Sequence, residues 1–275
     1  MRAARMRGAV VSLAVLLAAC GSGQAASPQV GTRDDGRTAT ASEPASGQAL
    51  SGQLTVFAAS SLTDAFEDLG ERFTQTNPDV EVAFNFGSSS TLATQIVEGG
   101  APADVFASAS QAQMDVVGDA ELLAGESQVF TGNTLEIAVE PGNPLNIRSL
   151  EDLARPDVTT VLAAEEVPAG EYTRHALDVA GIQVTPASLE VDVRAVLSRV
   201  ELGEADAGVV YVSDVVAAGD AVEGVPLSPE QNVPASYPIA ALTDAPNPSA
   251  AEAFVEYVLS DEAQASFTEY GFSAP

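Results

Sequence analysis

The stretch Leu54-Thr55-Val56-Phe57-Ala58-Ala59-Ser60-Ser61-Leu62-Thr63-Asp64-Ala65 decides the fold of this chain. An apolar strand runs into two serines and then opens a helix, whose apolar Leu62, Ala65, Phe66, Leu69 and Phe73 fall at helical spacing. A second unit follows: Val80–Phe86 reads as a strand, Ser88-Ser89-Ser90-Thr91 as the turn, and Ser90–Glu98 as a helix stopped by Gly99-Gly100. Ala103-Asp104-Val105-Phe106-Ala107-Ser108-Ala109 then brings a third strand, with a helix around Gln111–Val117. This βαβαβ rhythm predicts an α/β fold with a mostly parallel sheet and helices on both faces. Ligands of such sheets bind beyond the carboxyl ends of the strands, where both serine runs stand.

The alternation continues to the C-terminus. Leu135–Val139, Val158–Ala163, Ala207–Tyr211 and Ile239–Leu242 read as strands. A short helix starts at Leu150–Leu153; Ala169–Val179, Val193–Glu201, Ser213–Ala218 and Ser249–Leu259 read as helices, the last continued by Asp261–Tyr270. Two α/β stretches of similar kind predict two lobes. Lobe one is placed at residues 53–133 plus 237–275 and lobe two at 134–236, with crossings near Gly132–Leu135 and Ser236–Ile239.

Composition narrows the function. The 275 residues carry a formal net charge of −28, and 46% are hydrophobic, which suits a globular body large enough for a real core. The acidity argues against nucleic acid and anionic lipid headgroups as partners, because both need basic patches. One His and one Cys exclude a multi-ligand Cys/His metal site, and no cofactor is expected.

The single Cys has a specific context. Arg2, Arg5 and Arg7 form a basic start, Gly8–Leu17 an apolar core too short to span a bilayer, and Leu17-Ala18-Ala19-Cys20-Gly21 resembles a bacterial lipoprotein signal box. Residues 1–20 therefore read as a signal peptide ending at a lipidated Cys20. Residues 21–52, rich in Ser, Gly, Ala, Pro and Thr, read as a tether. The expected location is the extracytoplasmic face of the cell membrane, through lipid.

Serines at helix starts aim hydroxyl and N–H donors at one spot, where the helix dipole favours negative charge. Simple N-capping explains either run alone. Two runs at one sheet edge point to an anion cradle. A serine nucleophile has less support: there is no Gly-x-Ser-x-Gly elbow, and His175 lies among polar neighbours in a helix. Val167-Pro168-Ala169-Gly170 and Asp192-Val193-Arg194 are further helix starts, and Tyr211 ends a strand, either as a donor or as a wall. Asp64, Asp104, Asp192 and Asp214 sit near element ends, which capping explains.

These motifs, with Gly100-Ala-Pro-Ala-Asp-Val-Phe106, Gly208-Val-Val-Tyr211 and Phe267-Thr-Glu-Tyr-Gly-Phe272, together resemble the molybdate-binding proteins of bacterial ABC importers over about residues 53–273. Ser60, Gly87 and a short connection between Ala169 and Val193 depart from the common pattern. The resemblance implies a two-lobed periplasmic-binding-protein fold of type II kind with the ligand between the lobes. It implies that Ser61 and Ser89 donate from lobe one, that Ala169 and Val193 offer backbone N–H groups from lobe two, and that Tyr211 donates its phenol. The ligand would be molybdate or tungstate, and the partners an ABC permease and its ATPase. The protein would be a monomer and not an enzyme. A receptor for sulfate or phosphate is the nearest alternative, and a serine hydrolase or esterase a more distant one. Arg174 and Arg194 are expected to act through their long-range field at most.

Chemistry agrees with the resemblance. Molybdate and tungstate are dianions that only accept hydrogen bonds at neutral pH. Hydrogen phosphate carries a proton, and a donor-only site leaves that O–H unpaired at ~1–3 kcal/mol.

Overall fold

The computed structural model describes residues 49–275. The expected signal peptide, Cys20 and nearly all of the tether lie outside the described residues. Leu50 already packs against the core, and the first strand begins at Gly52, two residues before Leu54.

Lobe one is built from β1 (Gly52–Ala59), α1 (Thr63–Thr76), β2 (Val80–Gly87), α2 (Ser89–Val97), β3 (Val105–Ala107), α3 (Gln111–Asp119) and β4 (Gln128–Asn133). A 3-10 turn, Ser60–Leu62, joins β1 to α1. The chain then crosses into lobe two: β5 (Leu135–Val139), β6 (Thr160–Ala163), α4 (Pro168–Ala180), β7 (Ser188–Glu190), α5 (Val193–Glu201), β8 (Ala207–Tyr211), α6 (Val212–Ala218) and β9 (Glu223–Pro226). It returns through β10 (Ala235–Ala241) and ends in α7 (Pro248–Val258) and α8 (Asp261–Glu269). The return strand thus starts two residues ahead of the expected boundary at 237.

The two sheets share one plan. Their orders are β2-β1-β3-β10-β4 and β7-β6-β8-β5-β9. In the first, β1 runs parallel to β2 and β3, and β10 runs antiparallel to β3 and β4. In the second, β6 runs parallel to β7 and β8, and β5 runs antiparallel to β8 and β9. Four of the five strands in each sheet therefore run the same way, as the mostly parallel reading has it, and β10 and β5 are the strands that run against them. The cause is the crossing itself: β5 and β10 enter each lobe from the other one, directly beside a strand that ends there. No crossover helix turns them to parallel.

This plan positions the site. The parallel strands β1, β2 and β3 finish at Ala59, Gly87 and Ala107; β6, β7 and β8 finish at Ala163, Glu190 and Tyr211. Each lobe thus presents three carboxyl ends, with helix starts after them, toward the other lobe. Phe66 anchors the core of lobe one, in edge or tilted contact with Phe84, Phe130, Phe254 and Phe267 at 5.8–6.1 Å. Because Phe254 and Phe267 belong to α7 and α8, the C-terminal helices seal lobe one. Asp104, buried just before β3, accepts from Thr55 N at 2.7 Å and from Asn247 N at 2.6 Å, tying β1 to the start of α7. Among the described residues no helix is long and apolar enough to cross a membrane.

Candidate functional site

Ser61, Ser89, Ala169, Val193 and Tyr211 line one small cavity between the lobes. It encloses about 200 Å³ free of protein atoms, counting its mouth. Ser60, Gly87, Ser88, Ala109 and Pro168 complete most of the wall, and no charged side chain belongs to it. Ser61 and Val193 are 3% exposed and Ser89, Ala169 and Tyr211 1%, so an anion held here sits out of water, where hydrogen bonds are stronger.

Each donor is set by local sequence. Ser88 caps α2, accepting from Thr91 N at 3.2 Å, which leaves the N–H of Ser89 at the first helical position. Ser89 Oγ accepts from Ala109 N at 2.9 Å, so its own hydrogen remains for a ligand. Pro168 occupies the first position of α4 and has no N–H, which makes Ala169 the first available backbone donor there. Gly170 lets that helix start close to β6: a Cβ on it would lie 2.0 Å from the Ala164 carbonyl oxygen. Asp192 caps α5, accepting from Ala195 N at 2.9 Å, and so leaves the N–H of Val193 free of the cap. Every helix involved directs the positive end of its dipole at the cavity.

Tyr211 closes β8. Its hydroxyl is buried and has no hydrogen-bond partner among the described residues. Burial pushes its phenol well above the usual range, so the group stays protonated and can donate. Such an orphaned donor is costly unless a ligand meets it.

Sequence reasoning missed a layer behind the cavity. Ser61 Oγ lies 2.9 Å from the hydroxyl of Tyr237 on β10. Asn133, at the end of β4, reaches Ser213 Oγ in lobe two at 2.8 Å and Tyr237 OH at 3.5 Å. Arg194 pairs with Asp64 of lobe one, and its Nε stands 2.8 Å from Asp214 Oδ1, off line for a hydrogen bond. Asp214 also accepts from Tyr211 N at 3.0 Å. Burial raises the Asp214 carboxyl to about 6, with Arg194 opposing the rise. One sequence signal did exist. Asp64 and Asp214 each follow a site residue by three positions, and Arg194 adjoins Val193.

The remaining candidates stand apart. His175 lies on α4 beside Arg174 and Asp178, in a surface depression separate from the cavity. Arg174 pairs with Glu165 at 2.6 Å, both largely exposed. No cluster of three or more metal-ligating side chains occurs among the described residues.

Residues 54–273 match the family of bacterial extracellular solute-binding proteins. The chain is 42% identical over 240 residues to the molybdate-binding protein ModA of Mycobacterium tuberculosis, covering 87% of this chain and 92% of that one. It is 32% identical over 225 residues to the putative ABC transporter substrate-binding lipoprotein YvgL of Bacillus subtilis, covering 80% and 86%. Among solved structures, the periplasmic molybdate-binding protein of Azotobacter vinelandii superposes with a TM-score of 0.72 over 81% of this chain and 99% of that one. At 20% identity that likeness speaks for the fold alone.

Proposed function

The chain belongs to the bacterial extracellular solute-binding proteins and is a receptor of the ABC-transporter kind, and on that premise we propose that its cleft captures molybdate, and tungstate with it. The receptor delivers the anion to an ABC permease and its ATPase. It works as a monomer, held to the extracytoplasmic face of the membrane by lipid on Cys20.

The observation that carries this reading is the polarity of the cavity wall. The five converging groups are two hydroxyls, a phenol and two helix-start N–H groups, with no carboxylate to accept a proton from the ligand. A tetrahedral dianion that only accepts hydrogen bonds meets donors on every side. Hydrogen phosphate would bury an unpaired O–H. With no cation in the wall, the charge of the anion is balanced by aligned dipoles, and the acid-rich surface outside does not line its seat. The reading as a binding site rather than a serine hydrolase is supported by a lining without His, Asp or Glu and by the separate position of His175.

Calorimetric titration against molybdate, tungstate, sulfate and hydrogen phosphate tests the reading. Tight binding of the two larger dianions and none of hydrogen phosphate is expected. Preference for hydrogen phosphate, or no binding of any of the four, would reject it.

A further inference from the structure

We infer that Arg194 is the positioning residue of this site, holding the two lobes in the closed geometry without touching the anion. This rests on the anion-receptor reading above. The guanidinium joins Asp64 of lobe one to Asp214 of lobe two. Each of the three residues is tied to a different wall of the cavity. Asp64 lies one helical turn beyond Ser61, Arg194 directly follows Val193, and Asp214 accepts from the backbone N–H of Tyr211. The α5 helix that carries Arg194 also packs on the Ser60–Leu62 turn across the cleft. Three donors drawn from two lobes are thus fixed relative to one another by one side chain with a planar fork, a geometry suited to two carboxylates at once.

The arrangement also explains why this cation does not act as a counter-charge. Arg194 is flanked by two acids, so the cluster as a whole is not positive, and it stands outside the cavity wall. Its effect must come through closure. An anion leaves only when the lobes part, so a link that exists only in the closed form slows release far more than it speeds capture.

A purely structural role for Arg194, neutralising the buried Asp214, is separable from this. Asp64 is 42% exposed, and Asp64→Asn breaks only the arm that crosses the cleft, leaving the pair inside lobe two intact. The test is stopped-flow kinetics with sodium molybdate on the wild type, Asp64→Asn, Arg194→Gln and Arg194→Lys, with the melting temperature of each ligand-free protein alongside. Asp64→Asn and Arg194→Gln should each raise the molybdate dissociation rate about tenfold with the association rate within about twofold. Arg194→Lys keeps the charge and loses the fork, and should fall between them and the wild type. If Arg194→Gln does not fold, Asp64→Asn alone decides. An unchanged dissociation rate in Asp64→Asn overturns the inference, whatever Arg194→Gln does to the melting temperature. A wild-type protein that binds no molybdate defeats the receptor reading itself, and the inference with it.

Discussion

Ser61 Oγ and Tyr237 OH stand 2.9 Å apart, joining a cavity hydroxyl to the strand that re-enters lobe one. Asn133 adjoins the same Tyr237 hydroxyl. Its Oδ1 accepts from Thr134 N at 3.0 Å, so its amide nitrogen faces Ser213 and Tyr237 and can only donate. Tyr237 oxygen is then an acceptor toward Asn133, and either hydroxyl can donate in the bond between Tyr237 and Ser61. Burial keeps the phenol protonated far above neutral pH. The bond to Tyr237 holds Ser61 Oγ at the cavity wall.

Tyr237→Phe removes the hydrogen-bond partner that holds Ser61 Oγ and leaves the ring packing in place. Molybdate affinity should fall by about three- to tenfold, the worth of a neutral hydrogen bond. Calorimetry on the variant reads this directly; an unchanged dissociation constant would show that Ser61 serves the anion without that partner.

Tyr211→Phe removes a donor without a protein partner. A hydrogen bond to a charged acceptor is worth roughly 1.5–3 kcal/mol, or on the order of ten- to a hundredfold in affinity. Molybdate and sulfate binding should both weaken, since both anions only accept. The free protein should be no less stable, because the lost hydroxyl was unsatisfied. Retained affinity would reduce Tyr211 to a wall of the cavity.

Much of this was legible in the sequence, because an apolar strand followed by a small polar helix start is a local pattern. The long helices and the strands before Ser60, Ser88 and Val167 follow from it. What escaped depends on distant partners. In β4, Gly132 breaks the apolar pattern, and it is there because Ser273 crosses so closely that a Cβ would lie 2.5 Å from its Oγ. In β9, Gly224 faces Glu136 of β5 in the same way. In β10, Pro238 reads as a breaker, and the pairing absorbs it with a register shift between Tyr237 and Pro238. Starting that strand at Ile239 is also what hid Tyr237. The five residues that line the cavity were named through the family resemblance, and each stands at a strand end or helix start, where a local pattern is visible. The ion-paired layer behind them was not found, since Asp64 and Asp214 are explained locally as caps until Arg194 is seen between them.

Two serines should outweigh any surface cation. Ser61→Ala with Ser89→Ala should cost at least about a hundredfold in molybdate affinity, while Arg174→Gln stays within about twofold. Arg174 is bound to exposed Glu165 and does not line the cavity. The reverse ranking, measured by titration, would mean that a cationic clamp holds the anion.

Asp214 should leave a mark on the pH dependence of stability. Its carboxyl is raised to about 6 in the folded protein, so near pH 5 the folded state holds a proton that the unfolded chain has largely released. This contribution is complete below the unfolded value near 4 and is lost as pH rises through about 6. Relative to Asp214→Asn, the wild type should therefore lose stability between pH 4 and 7. Urea midpoints of the two proteins across that range check it; a constant offset would place the Asp214 carboxyl in the ordinary range.

Lipid attachment predicts a clean separation. Cys20→Ala should be released from the membrane or mis-processed, while the body still binds molybdate. An unmodified Cys20 in the mass spectrum of the mature, membrane-associated protein would contradict the anchor.

The most direct test of the neutral-donor cradle is an anomalous difference map at the molybdenum edge, from crystals grown with molybdate. The expected result is one strong peak between the lobes, its oxygens within hydrogen-bond reach of Ser61 Oγ, Ser89 Oγ, Tyr211 OH and the backbone nitrogens of Ala169 and Val193. A peak coordinated by an Arg or Lys side chain, or none in this cavity, would contradict it.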